Sequence, residues 1–291
     1  MYYLKNDDLS IAIKPLGAEL SSLKDKVGTE YLWQGDPAHW PGQAPVCFPI
    51  CGSLRDGKAV TQDGKSITLG RHGLARRQNF DFLDQDKDSI RFILRDNAET
   101  CEVFPFAFEL IIGYELDGKS VKTTYEVRNT GDEALPFFIG GHPAFNCPIE
   151  EGLDYKDYQL RFEHGIEPYA HKNISGGLLT RKERVLVPFE GEVLPLDQAL
   201  FEDDSMAFEN ITAKSVSLET RSGEKVLSFD YEDFPNLVIW SSGTNAPFIA
   251  LEPWTGLATF DTESDIFEEK IGVSILPVDA SKRFSYTVTI A

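Results

Sequence analysis

Apolar and polar residues alternate with a period of two along most of this chain. Half-buried strands impose that spacing, because successive side chains point to opposite faces of a sheet. The last residues show it best: Phe284, Tyr286, Val288 and Ile290 fall on one face and Ser285, Thr287 and Thr289 on the other. Shorter segments of the same kind run from Leu9 to Ile13, Ser89 to Leu94, Leu110 to Leu116, Val121 to Val127, Tyr158 to Phe162, Ser215 to Leu218, Val226 to Tyr231 and Leu237 to Trp240. Between them lie Asp63-Gly64, Asp117-Gly118, Thr130-Gly131-Asp132 and Ser222-Gly223, turn sequences that supply the positive φ of hairpins. Helical spacing is confined to a turn or two at Glu263 to Lys270. The chain therefore reads as all-β. No linker rich in Ser, Gly or Pro divides the 291 residues and no repeat is visible, so residues 1–291 are expected to form a single large β-sandwich of two sheets.

The charge balance narrows the partners. Lys plus Arg minus Asp plus Glu is 28 − 47 = −19, a field that repels phosphate backbones and anionic lipid headgroups. Nucleic acid and membrane partners are not expected. The N-terminus lacks the basic start and apolar run of a secretory signal, and no window approaches a membrane span, so a cytoplasmic address is the default. Cys47, Cys51, Cys101 and Cys147 include no CxxC pair and read as reduced packing residues. Motifs for zinc proteases, EF-hands, P-loops, dinucleotide sites and serine nucleophile elbows are all missing.

Four segments break the strand rhythm: Pro49 to Gly57, Gly70 to Arg76, Gly140 to Phe145 and Leu251 to Gly256. Glycines beside His72 and His142 let backbone or ligand approach closely. Glu252 follows the apolar run Phe248 to Leu251, where burial would raise its carboxyl toward the range of a general base. His39, His164 and His171 have no such setting. From Gly52 to Arg77 there are six cations (Arg55, Lys58, Lys65, Arg71, Arg76, Arg77) against two acids, a local +4 that could hold an anionic or hydroxyl-rich ligand or could simply pair with nearby acids. Glu202, Asp203 and Asp204 read as a solvated loop.

Taken in order, these segments resemble the aldose 1-epimerase (mutarotase) family, in its bacterial LacX-like branch. The opening Ile11 to Leu20, then Gly52-Ser53-Leu54-Arg55, His72-Gly73-Leu74-Ala75-Arg76, Gly141-His142-Pro143-Ala144-Phe145 and Leu251-Glu252-Pro253-Trp254 carry the likeness across nearly the whole chain. The resemblance implies a galactose mutarotase-like supersandwich and an isomerase of carbohydrate metabolism that needs no cofactor or metal. It casts Glu252 as the base that takes the proton of the C1 hydroxyl and His142 as the acid that protonates the ring oxygen. It also places Arg55 and His72 on sugar oxygens. The aspartate that galactose mutarotases use for sugar hydroxyls finds its counterpart here in Asp203 or Asp204, with Asp204 the choice for the site. Arg55 and Arg76 together resemble the hexose 6-phosphate mutarotases, so free and phosphorylated hexoses both stay open, as does oligomeric state. A catalytically silent carbohydrate-binding or regulatory protein on the same fold is the alternative. A glycoside hydrolase would show two carboxylates flanking the scissile bond, and only Glu252 is placed by motif.

Overall fold

In a computed structural model, which describes residues 1–243 and 245–291, the C-terminal alternation becomes the strand Ser281–Ile290. Its Phe284, Tyr286, Val288 and Ile290 are buried while the residues between them are partly exposed. This strand lies at the centre of a nine-stranded antiparallel sheet. The order is Val193–Pro195, Tyr158–Phe162, Ser215–Thr220, Lys225–Asp230, Ser281–Ile290, Ser120–Asn129, Phe108–Asp117, Ser89–Arg95 and Asp81–Gln85. Most segments read as strands from their alternation belong to this sheet, because a sheet with one dry and one wet face writes a period of two into its sequence.

A second sheet of eight strands runs Leu178–Leu186, Tyr169–Ile174, Met206–Phe208, Asn236–Trp240, Phe248–Trp254, Gly140–Gly141 and Val46–Cys47, with Ala144–Asn146 also pairing to Phe248–Trp254. The inner faces of the two sheets share one continuous core. Phe145 meets Phe229 edge-on at 6.1 Å between ring centroids. The sheets approach closely at Gly141, where an added Cβ would stand 2.8 Å from the Tyr286 ring and 2.9 Å from the Tyr125 hydroxyl. The architecture is that of a β-supersandwich, and a three-stranded N-terminal sheet, Tyr2–Lys5, Leu9–Ile13 and Leu20–Asp25, adds to the same core.

The structure departs locally from the sequence expectations. Glu263 to Lys270 contains only the 3-10 turn Phe267–Glu269. The one α-helix among the described residues is Ala98–Val103, where the Asn97 side chain accepts from the Thr100 backbone N–H and the Thr100 hydroxyl returns the bond to Asn97. Six residues are too few to show helical periodicity. Gly64, Gly118 and Gly223 do take positive φ, but Gly131 does not; its turn is held instead by the Asn129 side chain, which accepts from the Gly131 N–H at 3.0 Å.

Gly141 gives a direct test of the sheet-to-sheet fit. Gly141→Ala is expected to lower stability by about 1–3 kcal/mol through overpacking against two buried tyrosines. Gly165→Ala, where a Cβ would meet nothing within 4 Å, is the control and should leave the urea midpoint nearly unchanged. Equal midpoints for the two variants would show that the sheets can part at Gly141 without penalty.

Candidate active site

Strand Phe248–Trp254 is buried along its whole length. Ile249 and Leu251 enter the main core, whereas Phe248 and Ala250 join a second small cluster with Trp33 and Ala144, against which Trp40 and Trp240 pack. Glu252 continues that second face. On one side its register partner is Val238. On the other side the neighbouring strand is interrupted: Gly140 pairs with Trp254 and Ala144 pairs with Ala250, so counting inward from either pairing sets His142 opposite Glu252. Pro143 falls opposite Leu251, whose N–H donates to the Pro143 carbonyl at 3.1 Å, and Pro253 falls opposite Gly141, so neither proline offers a backbone N–H to the ladder there.

This register brings Nε2 of His142 to 3.2 Å from Oε2 of Glu252. The two atoms are close without aligning as a hydrogen bond, and Oε2 of Glu252 and Nδ1 of His142 are both buried polar atoms with no hydrogen-bond partner among the described residues. Glu252 is 2% exposed and His142 6%. Burial pushes the Glu252 carboxyl well above the usual carboxylate range, with Cys47 and Asp204 adding to the rise and Arg71 and Arg76 opposing it. Burial likewise pulls His142 down to about 3. Charge is disfavoured on both members, so the pair rests neutral with its single proton on the carboxyl. The Trp40 ring stacks on the His142 imidazole at 4.7 Å and Trp240 meets it edge-on at 5.5 Å.

His72 arrives from a loop and stands edge-on to His142 at 5.4 Å between centroids. Its backbone has φ +64°, an uncommon state for a residue with a Cβ. Gly73 follows with φ +76°, where a Cβ would lie 2.2 Å from the Phe48 carbonyl oxygen; this is why a glycine follows the histidine. Burial, with the positive groups around it, holds His72 well below its ordinary value.

His72, His142 and Glu252 thus face one cleft of about 210 Å³, together with Arg71, Arg76, Asp204 and the indoles of Trp40, Trp240 and Trp254. The Arg71 guanidinium lies 3.1 Å from the Asp204 carboxylate. The half-buried Arg76 has no hydrogen bond or ion pair to its guanidinium among the described residues. Asp203 is exposed and does not line the cleft. The structure does not bring Arg55 there either. Its guanidinium turns away to Asp265, at 3.1 Å, and to the carbonyls of Phe260, Asp261 and Glu263. The run of cations from Gly52 to Arg77 therefore divides: Arg55 ties down the 260–265 loop, Lys65 pairs with Glu133 and Asp63, and Arg71 and Arg76 face the cleft. His171 is buried elsewhere against Glu209. Among the described residues no group of three His, Cys, Asp or Glu side chains could hold a metal ion.

Sequence reasoning had left Arg71 undistinguished within the patch of cations and had not placed Trp40, Trp240 or Asn173, which also line the cleft, at the site. Tryptophan usage was the available signal, since three of the four tryptophans line this cleft. The sequence model of the aldose 1-epimerase family matches residues 1–261. The chain belongs to the aldose 1-epimerase family. It is 43% identical to the chromosomal LacX protein of Lactococcus lactis over 99% of this chain and 98% of that protein. Among solved structures, a galactose mutarotase related enzyme from Lactobacillus acidophilus superimposes with a TM-score of 0.90 at 30% identity, covering 100% of this chain and 97% of the other. A galactose mutarotase-like protein from Lactobacillus casei gives 0.91 at 30% identity with full coverage of both chains. The supersandwich and a carbohydrate-binding cleft are what this family membership entails. No helix among the described residues is long and apolar enough to cross a membrane.

The position of Arg55 generates a test. Arg55→Ala removes a guanidinium that bridges one carboxylate and three carbonyls, and is expected to lower stability by about 1–2 kcal/mol with sugar affinity unchanged. Thermal unfolding and ligand titration of the same variant check this; weakened binding at normal stability would return Arg55 to the ligand.

Proposed function

We propose that the protein is an aldose 1-epimerase that interconverts the α and β anomers of a hexose or hexose 6-phosphate. One observation carries the reading: a histidine and a glutamate 3.2 Å apart, both buried, with unpartnered polar atoms, in a cleft walled by indole rings. The cleft is smaller than the roughly 300–1,000 Å³ of sites for drug-sized ligands, a scale that suits one sugar ring. Indole faces favour the C–H faces of a pyranose, and Arg71, Asp204 and His72 offer polar groups to its hydroxyls.

The exocyclic O1 and the ring oxygen of a hexose are bonded to the same carbon, so an acid and a base standing close together can reach both. Glu252 in its carboxylate form takes the O1 proton while the protonated His142 gives one to the ring oxygen. The bond from C1 to the ring oxygen breaks, C1 and O1 become the aldehyde carbonyl, and both the carboxyl proton and a neutral imidazole remain. Rotation about the bond from C1 to C2 presents the other carbonyl face. Reclosure runs the transfers backwards, and the pair's single proton returns from Glu252 to His142. The resting form, with the proton on Glu252, differs from the reactive form only by a proton shift across 3.2 Å. Arg71 and Arg76, which favour the carboxylate, bias that shift.

Glu252→Gln and His142→Asn keep shape and lose proton transfer. Each is expected to slow anomerisation of fresh α-glucose or α-galactose, followed by polarimetry, by about 10²–10⁴-fold while sugar binding by calorimetry is nearly retained. Binding without any turnover in the unsubstituted protein would assign the alternative, a silent carbohydrate-binding protein.

The two cleft arginines bear on phosphorylation. The Arg76 guanidinium makes no ion pair or hydrogen bond among the described residues, and a guanidinium fork matches phosphate oxygens. Affinity for glucose 6-phosphate is expected to exceed that for glucose and to fall as salt rises. Arg76→Ala should abolish that difference; an equal loss for both ligands, or none, would make Arg76 a structural residue.

A further inference from the structure

We propose that Cys47 is a positioning residue which, together with the Gly52 backbone, fixes His72 as a constant hydrogen-bond donor toward the cleft, an assignment that rests on the function proposed above. The Gly52 backbone N–H donates to Nδ1 of His72 at 3.2 Å. A peptide N–H can only donate, so this long bond favours the ring form in which Nδ1 carries the lone pair without fixing it alone. In a neutral imidazole the proton then belongs to Nε2.

Sγ of Cys47 lies 3.4 Å from that same Nδ1. Burial, with the neighbouring Cys51 thiol adding to it, holds the Cys47 thiol well above its ordinary value, so it keeps its one hydrogen, and the bare Nδ1 of His72 is a stronger acceptor for it than the Cys51 sulfur. Two donors therefore converge on one acceptor. A proton on Nδ1 would point at both of them, and the same clash disfavours the imidazolium.

The contacts come from two different elements. His72 and Gly52 clasp each other, since the His72 backbone N–H also donates to the Gly52 carbonyl at 2.7 Å, and this clasp locates the ring. Cys47 comes from the sheet, where it pairs with Gly140, two residues before His142. The thiol thus ties the tautomer of His72 to the strand that leads into the other cleft histidine. His72 consequently offers Nε2–H to a sugar oxygen and exchanges no proton, and His142 is the cleft imidazole that does.

The test reads the ring nitrogens of ¹⁵N-histidine-labelled protein by NMR without ligand, alongside anomerisation kinetics. In the unsubstituted protein Nδ1 of His72 should show the signal of a bare nitrogen and Nε2 that of an N–H. Cys47→Ala, and Cys47→Val as a second variant that fills the space without a donor, should populate the other tautomer. Both should lower kcat/KM about two- to tenfold, mainly through KM, because a bond made throughout the reaction contributes to binding. Cys47→Ser, which retains a donor, should restore both readouts. Unchanged ring signals and kinetics in Ala and Val, or a proton on Nδ1 in the unsubstituted protein, would overturn the assignment. A tautomer response in a protein without turnover would overturn the epimerase reading alone, because the ring signals need no substrate.

Discussion

The cleft depends on one strand, Phe248–Trp254, being dry on both faces. A central strand of a sandwich normally buries one face and wets the other. Here the second face is covered by Trp33, Trp40 and Trp240, so Glu252 emerges into an apolar setting rather than into water. The raised carboxyl and the indole stacked on His142 both follow from that burial. Register makes the arrangement all-or-none. A slip of one residue would exchange Glu252 for Leu251 or Pro253 and turn the carboxylate into the main core.

Close approach of the two sheets supplies the second half of the geometry. Gly140 and Gly141 carry no side chain because Trp254 occupies the space above one and the tyrosines of the opposite sheet the space beside the other. His142 begins where this tight segment ends, and the Trp254 indole N–H donates to the Gly141 carbonyl at 3.1 Å, fixing the backbone just before it. The imidazole is held by the Trp40 ring stacked on it and by Trp240 and His72 edge-on. Nε2 is left facing Glu252.

Much of the fold was legible because the nine-stranded sheet has a wet outer face, so its strands alternate. The eight-stranded sheet was harder to read: Phe248–Trp254 shows no alternation, and Gly140–Gly141 and Val46–Cys47 are too short for a period to register. The site was legible where a residue is special by its local backbone, as His72 and His142 are beside their glycines. It was illegible where proximity is created by the fold. Arg55 and Arg76 look equivalent in a linear patch, yet a 3-10 turn at Arg55–Gly57 sends one guanidinium to the 260–265 loop, while the turn Ala75–Arg77 leaves the other at the cleft. Trp40 and Trp240 had no motif to announce them; only sheet register and the second cluster explain their place.

A dry, neutral acid-base pair suits some reactions and not others. Glycoside hydrolysis builds positive charge on the sugar ring and ordinarily uses two carboxylates to protonate the leaving group and to stabilise or attack the ring. The carboxylates lining this cleft are Glu252 and Asp204, and Asp204 is engaged by Arg71. Ring opening of a hemiacetal, the step in the proposed function, only moves a proton from one sugar oxygen to another and leaves no net charge behind. A pair that shares one proton meets that demand without stabilising an ion, which a buried site with few fixed charges does poorly. The burial that makes His142 and Glu252 reluctant to ionise alone is therefore compatible with their exchanging a proton together. The sugar hydroxyls and the two cleft arginines then have only to bias which of the two holds it.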